Sequence, residues 1–290
     1  MTLLMREHVH RMLKPQPNAS EDDKELTRLN TRDAIFHKCL LILASYRQYT
    51  SAMSAPMSQL VLPEKLELLP MFCMSLMKSP MLRPGVAHRL GESPVPVITP
   101  TGDERAFFTW HAAHCHPAVA FLLVHPALYS LNRNDGDDRI GEWNPSPGPS
   151  DENAGFVRMP TSEVVSMASL QNDGVYFVDN GLSVRFVVEK DAPDLYRRDW
   201  NDIVTENPKV ANILWQIRTF CSTQQGEESD IRPTFAPIKR VLLQDGRHGK
   251  NQLELMSLMI DDPVGGEKNS REFMMQMHQK IRERLEATKK

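Results

Sequence analysis

Gly174-Val-Tyr-Phe-Val-Asp179 and Leu182-Ser-Val-Arg-Phe-Val-Val-Glu189 flank an Asn180-Gly181 pair. Val, Tyr and Phe favour extended backbone. An Asn-Gly between two such runs is the strongest short-range hairpin signal, because both residues tolerate the positive φ of a tight turn. The spacing therefore predicts a β-hairpin at the centre of a sheet. Outward from it, Ala127 to Leu131, Phe156 to Met159 and Lys239 to Gln244 read as short strands. Asn207 and Pro208 cap a helix with an apolar face of Val210, Ile213, Leu214, Ile217 and Phe220. Gln252 to Ile260 fits a helix or a strand. Asn269 with Glu272 is a capping-box pair that opens a last helix. Its stripe is Phe273, Met277, Ile281 and Leu285, and its end is rich in Lys and Arg, as the helix dipole favours. Asn132 to Ala154 is a long polar loop rich in Gly, Pro and Asp. This half of the chain is α+β, a small mixed sheet flanked by helices.

Upstream the grammar is helical. Met1 to Leu13 forms a short helix, and Lys14 to Asp23 is a polar linker. Asn30 offers an N-cap with Asp33 three residues on. Ile35, Phe36, Cys39, Leu40, Ile42, Leu43 and Tyr46 then fall at helical spacing. Pro63 opens a second helix through Leu66, Leu69, Phe72, Cys73, Leu76 and Met77, which Pro70 kinks or splits. Pro80 to Pro100 is an extended proline-rich connector. Asp103 and Glu104 start a third helix through Phe107, Phe108, Trp110 and His111. Pro117 starts a fourth through Ala120, Phe121 and Val124. The sequence thus reads as a helical domain over 1–125 and an α+β domain over 126–290. The final helix, 270–288, can pack against either.

The composition bounds the function. The chain has 290 residues, long enough for about two domains and a real core. Hydrophobic residues make up 41% and charged residues 24%, ordinary for a globular protein. With 34 basic and 37 acidic residues the formal charge is −3, which argues against a dedicated nucleic-acid binder. Cys39, Cys73, Cys115 and Cys221 contain no C-x-x-C pair and read as reduced thiols. No signal peptide opens the chain, and no apolar run reaches the ~20 residues of a membrane helix.

Each candidate for chemistry is outweighed by a plainer reading. His111-Ala-Ala-His114-Cys115-His116 places zinc-type ligands on one helix face, but no fourth ligand follows at the usual spacing. Ordinary histidines at a helix end are the better account. Asp135-Gly-Asp-Asp138 has the composition of a calcium loop without its spacing. No phosphate-binding glycine loop and no G-x-S-x-G is present, and Gly265-Gly266 lacks a following Lys-Ser/Thr. Cys115 beside two histidines is a weak thiol–imidazole candidate. Catalytic, cofactor-binding and metal residues are all read as absent, and a binding or structural role is the default.

Several stretches together resemble a known family. Thr31-Arg-Asp-Ala-Ile35, Ile42-Leu-Ala-Ser-Tyr-Arg47, Leu60-Val-Leu-Pro-Glu-Lys-Leu-Glu-Leu-Leu-Pro70, Leu76-Met-Lys-Ser79 and Asp103-Glu-Arg105 resemble the helical domain of the cargo-adaptor subunit of the COPII vesicle coat. His125-Pro-Ala-Leu-Tyr-Ser-Leu131 resembles the opening of that family's gelsolin-like domain. Asp173 to Gly181 resembles its central hairpin, and Phe273 to Ile281 its last helix. The pieces occur in the family's order along nearly the whole chain.

The resemblance implies an all-helical domain followed by a gelsolin-like domain. It implies a non-enzymatic part of the COPII inner coat, acting in endoplasmic reticulum to Golgi transport on the cytosolic face of exit sites and coated vesicles. The implied partners are a sister GTPase-activating subunit and cargo sorting signals. Both are met mainly by family regions not matched here, and membrane association is peripheral and indirect. The family's zinc ribbon also has no counterpart, so the chain is expected to be a C-terminal portion that binds no cofactor. Phe186-Val-Val-Glu-Lys190 departs from the family's usual Trp-x-Gly after the hairpin. Two alternatives remain. One is the sister subunit, which shares the architecture and uses an arginine finger. The other is a calcium-dependent, actin-binding gelsolin module.

Overall fold

The computed structural model describes residues 5–7, 9, 20–50, 56, 59, 61–83, 100–132, 137–143, 156–219, 236–243, 250–263 and 267–288. They fall into two compact units, one of residues 1–114 with 260–290, the other of residues 115–259.

The first unit is helical. Residues 5–7 and 9 are helical, and Met5 and Val9 are buried. Helix α1 spans Glu21–Tyr49. It starts about three turns before the expected Asn30 cap. Ser20 and Asp23 form the capping box instead, with the Asp23 amide donating to Ser20 Oγ at 3.1 Å and the Ser20 amide to Asp23 Oδ2 at 3.0 Å. Polar residues fill those first turns, so apolar spacing carried no sign of them. Ile35, Cys39, Leu40 and Leu43 are buried, whereas Ile42 faces outward. Pro70 separates a 3₁₀ turn, Glu64–Leu66, from α2, Leu69–Lys78, and sits in the first turn of α2 where no amide is needed. Leu66, expected in the apolar stripe, is exposed. Helix α3 is Gly102–His114, capped by a mutual Thr101–Glu104 pair.

In the second unit, α4 (Pro117–Val124) leads into β1 (Ala127–Ser130). Strand β2 is Ser162–Glu163. The expected strand at Phe156 to Met159 is reduced to one bridge, Val157 with Trp143. The hairpin is β3 (Val175–Asp179) and β4 (Val184–Val188). Helices α5 (Trp200–Glu206) and α6 (Pro208–Thr219) follow, then β5 (Ile238–Leu242) and α7 (Lys250–Met256). Helix α5 has no counterpart in the sequence reading, and α7 settles the open choice at Gln252 as helix. The sheet order is β2-β1-β3-β4-β5, antiparallel except for the parallel β4–β5 pair. The hairpin is thus central, as expected. All ten residues of β3 and β4 are buried, so the sheet is covered on both faces. On one face Phe177, Phe186 and Val188 pack with Ile203, Ile213, Leu214 and Ile217 of α5 and α6.

The last helix, α8 (Ser270–Thr288), belongs to the first unit and packs on α1 and α2. Its four stripe residues are all buried, and Phe273 meets Phe36 edge-on at 5.7 Å. The compact units therefore do not follow the expected division at 125/126. Helix α4 joins the sheet because its Val119 and Leu122 abut the hairpin loop at Gly181. Helix α8 joins the helices because its apolar stripe fits theirs. Among the described residues, no helix is long and apolar enough to cross a membrane. Phe220, Cys221, Gly265, Gly266, residues 133–136 and 144–154 of the polar loop, and most of Met1 to Leu13 and Pro80 to Pro100 lie outside the described residues.

Candidate functional site

The histidine cluster is dispersed by local bonding. His111 Nδ1 lies 2.8 Å from the Phe107 carbonyl, and His114 Nδ1 lies 2.7 Å from the Trp110 carbonyl. Both rings are thereby fixed along α3. His116 caps α4, accepting from the Ala118 amide at 3.2 Å. No group of three His, Cys, Asp or Glu side chains among the described residues is placed to hold a metal ion. Cys39 and Cys73 are buried in the first unit's core, where the neighbouring Cys39 thiol and then burial push the Cys73 thiol well up. Asp137, from the acidic loop, pairs with Arg158 at 2.6 Å.

What His111 and His114 do instead is build an exposed aromatic face. Trp110 stacks on His114 at 4.8 Å, and Phe107 leans on His111 at 4.1 Å. Phe107 and Trp110 are both about half exposed. The second unit carries a similar feature. Trp143 and Trp215 touch at 4.7 Å while remaining 44% and 42% exposed. Trp215 is held by α6, and Trp143 by the bridge to Val157, whose amide donates to the buried Gln216 Oε1 at 2.9 Å. Exposed, preordered Trp and Phe are the side chains that anchor protein contacts.

The most built polar site lies at the end of α2. The turn 77–83 leaves a set of carbonyls without helical partners. Arg32 donates to the Met77 and Leu82 carbonyls at 2.7 and 3.2 Å and forks onto both Glu267 oxygens at 2.8 and 3.0 Å. Arg105 donates to the Pro80 and Arg83 carbonyls at 3.1 and 2.7 Å, and Arg83 Nε to the Lys78 carbonyl at 3.0 Å. Buried Lys78 reaches the Ile260 and Asp262 carbonyls at 2.6 and 3.0 Å. Burial lowers the Lys78 pKa to about 8, against the pull of Glu267 and Asp261. These cations join segments distant in sequence. Lys78 lies in the stretch Leu76-Met-Lys-Ser79, whose spacing carries no sign of this role.

The hairpin loop is wider than its Asn-Gly suggests. Asp179 pairs with Val184, so four residues, 180–183, make the turn. Asn180 Oδ1 accepts from the Ser183 amide at 2.8 Å, and Asp179 Oδ1 from the Gly181 amide at 2.8 Å. Gly181 takes φ +83°.

Comparison with known proteins shows what the chain is similar to. Residues 1–93 match the Sec23/Sec24 helical domain. Along most of the chain the similarity is to Sec24 proteins, and the resemblance to the COPII cargo-adaptor family is borne out. Arabidopsis thaliana protein transport protein SEC24 B is 24% identical over 250 residues, 85% of this chain and 20% of that protein. Arabidopsis thaliana SEC24 C is 25% identical over 84% of this chain and 20% of its own length. Human Sec24C is 27% identical over 53% of this chain. The crystal structure of the human COPII-coat protein Sec24c shares the fold, with a TM-score of 0.63 over 98% of this chain and 31% of that one, at 18% identity. The chain spans about a fifth of the length of its Arabidopsis relatives.

Proposed function

We propose that this chain is a structural, non-enzymatic part of the COPII inner-coat cargo adaptor, acting in protein transport from the endoplasmic reticulum to the Golgi. The observation that carries this reading is collinear similarity to SEC24 B over 85% of the chain, joined to the Sec23/Sec24 helical match at 1–93. In this reading the sheet unit is the gelsolin-like domain. The sister GTPase-activating subunit and cargo signals are engaged mainly through family regions outside the matched portion. The chain binds no cofactor or nucleic acid. It associates with membranes peripherally and indirectly, on the cytosolic face of exit sites and coated vesicles.

The test is a chimera in which residues 1–290 replace the corresponding portion of a Sec24 relative. The expected result is a chimera that pairs with the GTPase-activating subunit and is recruited with it to liposomes by the GTP-loaded coat GTPase. A folded chimera that fails to assemble contradicts the reading. Faster GTP hydrolysis on adding the 290-residue chain to the GTPase alone would favour the sister subunit instead.

A further inference from the structure

The sheet's second face holds a buried cation that its surroundings leave largely unsatisfied. Arg185 sits mid-strand in β4, opposite Val178 of β3 and Lys239 of β5. Its side chain is only 8% exposed. A guanidinium carries five N–H donors. Among the described residues only Nη1 finds a partner at hydrogen-bond distance, Ser183 Oγ at 3.1 Å. Nε is buried without one. Nη2 stands 3.7 Å from Glu254 Oε2, beyond hydrogen-bond reach, and that oxygen already lies 2.9 Å from Lys239 Nζ. Two cations therefore share one carboxylate oxygen, and desolvation weighs on the charged Arg185. Buried polar groups are normally satisfied, and an exception points to a missing water or ion. A water would supply hydrogen bonds but no further negative charge for the two cations that meet at this oxygen.

We propose that Arg185 and Lys239 bind a phosphate-class oxyanion at the position the Glu254 carboxylate occupies. An oxygen there faces the guanidinium and the ammonium together, and that pair of donors suits a tetrahedral oxyanion. Lys239 is 44% exposed and Glu254 26%, so the corner is open to solvent on that side. Glu254 lies on the short α7, and its side chain turns outward as the anion enters. The carboxylate is the internal competitor, which makes the site testable in both directions.

The experiment is thermal unfolding of the 290-residue chain in inorganic phosphate, against sodium chloride and sodium acetate at matched ionic strength. Phosphate is expected to raise Tm saturably by about 2–4 °C, as ligand binding to the native state does. E254Q removes the competitor and is expected to reach half-saturation at about tenfold less phosphate, equivalent to about 1.4 kcal/mol. K239M is expected to need about tenfold more, and R185Q to lose the shift. K280Q, a surface control, leaves it unchanged. No gain over chloride, an equal gain from acetate, or an unchanged midpoint in both K239M and E254Q overturns the proposal. If R185Q does not fold, the latter two variants still decide it. A parallel titration with O-phosphoserine identifies the source. Binding at a similar midpoint points to a phosphoryl ester, and binding of inorganic phosphate alone to the free ion.

Discussion

The helical unit and the sheet unit place the same kinds of interaction in different parts of their cores. In the first, cations cross between segments and end on backbone carbonyls, as Arg32, Arg105 and Lys78 do around the turn 77–83. In the second, the central strands are buried on both faces, and cations on carbonyls, such as Arg218 on Ala236 and Arg240 on Arg198, lie around them rather than within them. The difference teaches where each unit is vulnerable. The helical unit depends on charge state and on groups that must be satisfied. The sheet unit depends on volume and backbone conformation. Arg185 is where the sheet unit departs from its own pattern.

The largest expected effect tests the packing side. Phe186 is buried against Phe177, Tyr196 and Trp200. Phe186→Ala should cost about 3–5 kcal/mol through the cavity it opens. Amide exchange should rise in residues 175–188 before it rises in α1 or α8. Equal loss of protection in both units would break the contrast. Next is Gly181→Val. A Cβ there would lie 2.9 Å from the Val119 carbonyl oxygen, on a backbone at φ +83°. The expected cost is about 1–3 kcal/mol, read from denaturant midpoints. An unchanged midpoint would mean that the loop and α4 adapt freely.

The helical unit should respond more mildly and through charge or caps. Ser20→Ala removes the acceptor for the Asp23 amide and should cost about 1 kcal/mol, with faster exchange confined to the first turns of α1. The last effect is a pH dependence carried by Lys78. Its pKa falls from 10.5 unfolded to about 8 in the folded chain. Between those values the unfolded state holds the proton that the folded state has released, so stability should rise from about pH 8 to pH 10.5. Lys78→Met should flatten that rise in denaturant titrations across this window. An identical slope in the variant would remove Lys78 from the account.

How much was legible depends on the range of the interaction. The hairpin, α4, α6 and the stripe of α8 are written in local spacing, and each stands near where that spacing puts it. The start of α1 was missed because Ser20 and Asp23 cap a polar stretch with no apolar period. The separation of His111, His114 and His116 follows from their bonds to nearby backbone, which a ligand-spacing argument does not see. Lys78 and Arg185 are the reverse case. Each lies in an apolar run, and its surroundings come from segments far along the chain.

The sequence by itself determined the helical first half, the central hairpin and the resemblance to a coat adaptor, because dipeptide turn chemistry, caps and periodicity act over a few residues. Only the tertiary structure decided that α8 returns to α1 and α2, that β5 joins β4 in parallel, and that Lys239 and Glu254 stand beside Arg185. Those outcomes depend on which apolar faces and charges meet across long separations, and no local rule encodes that.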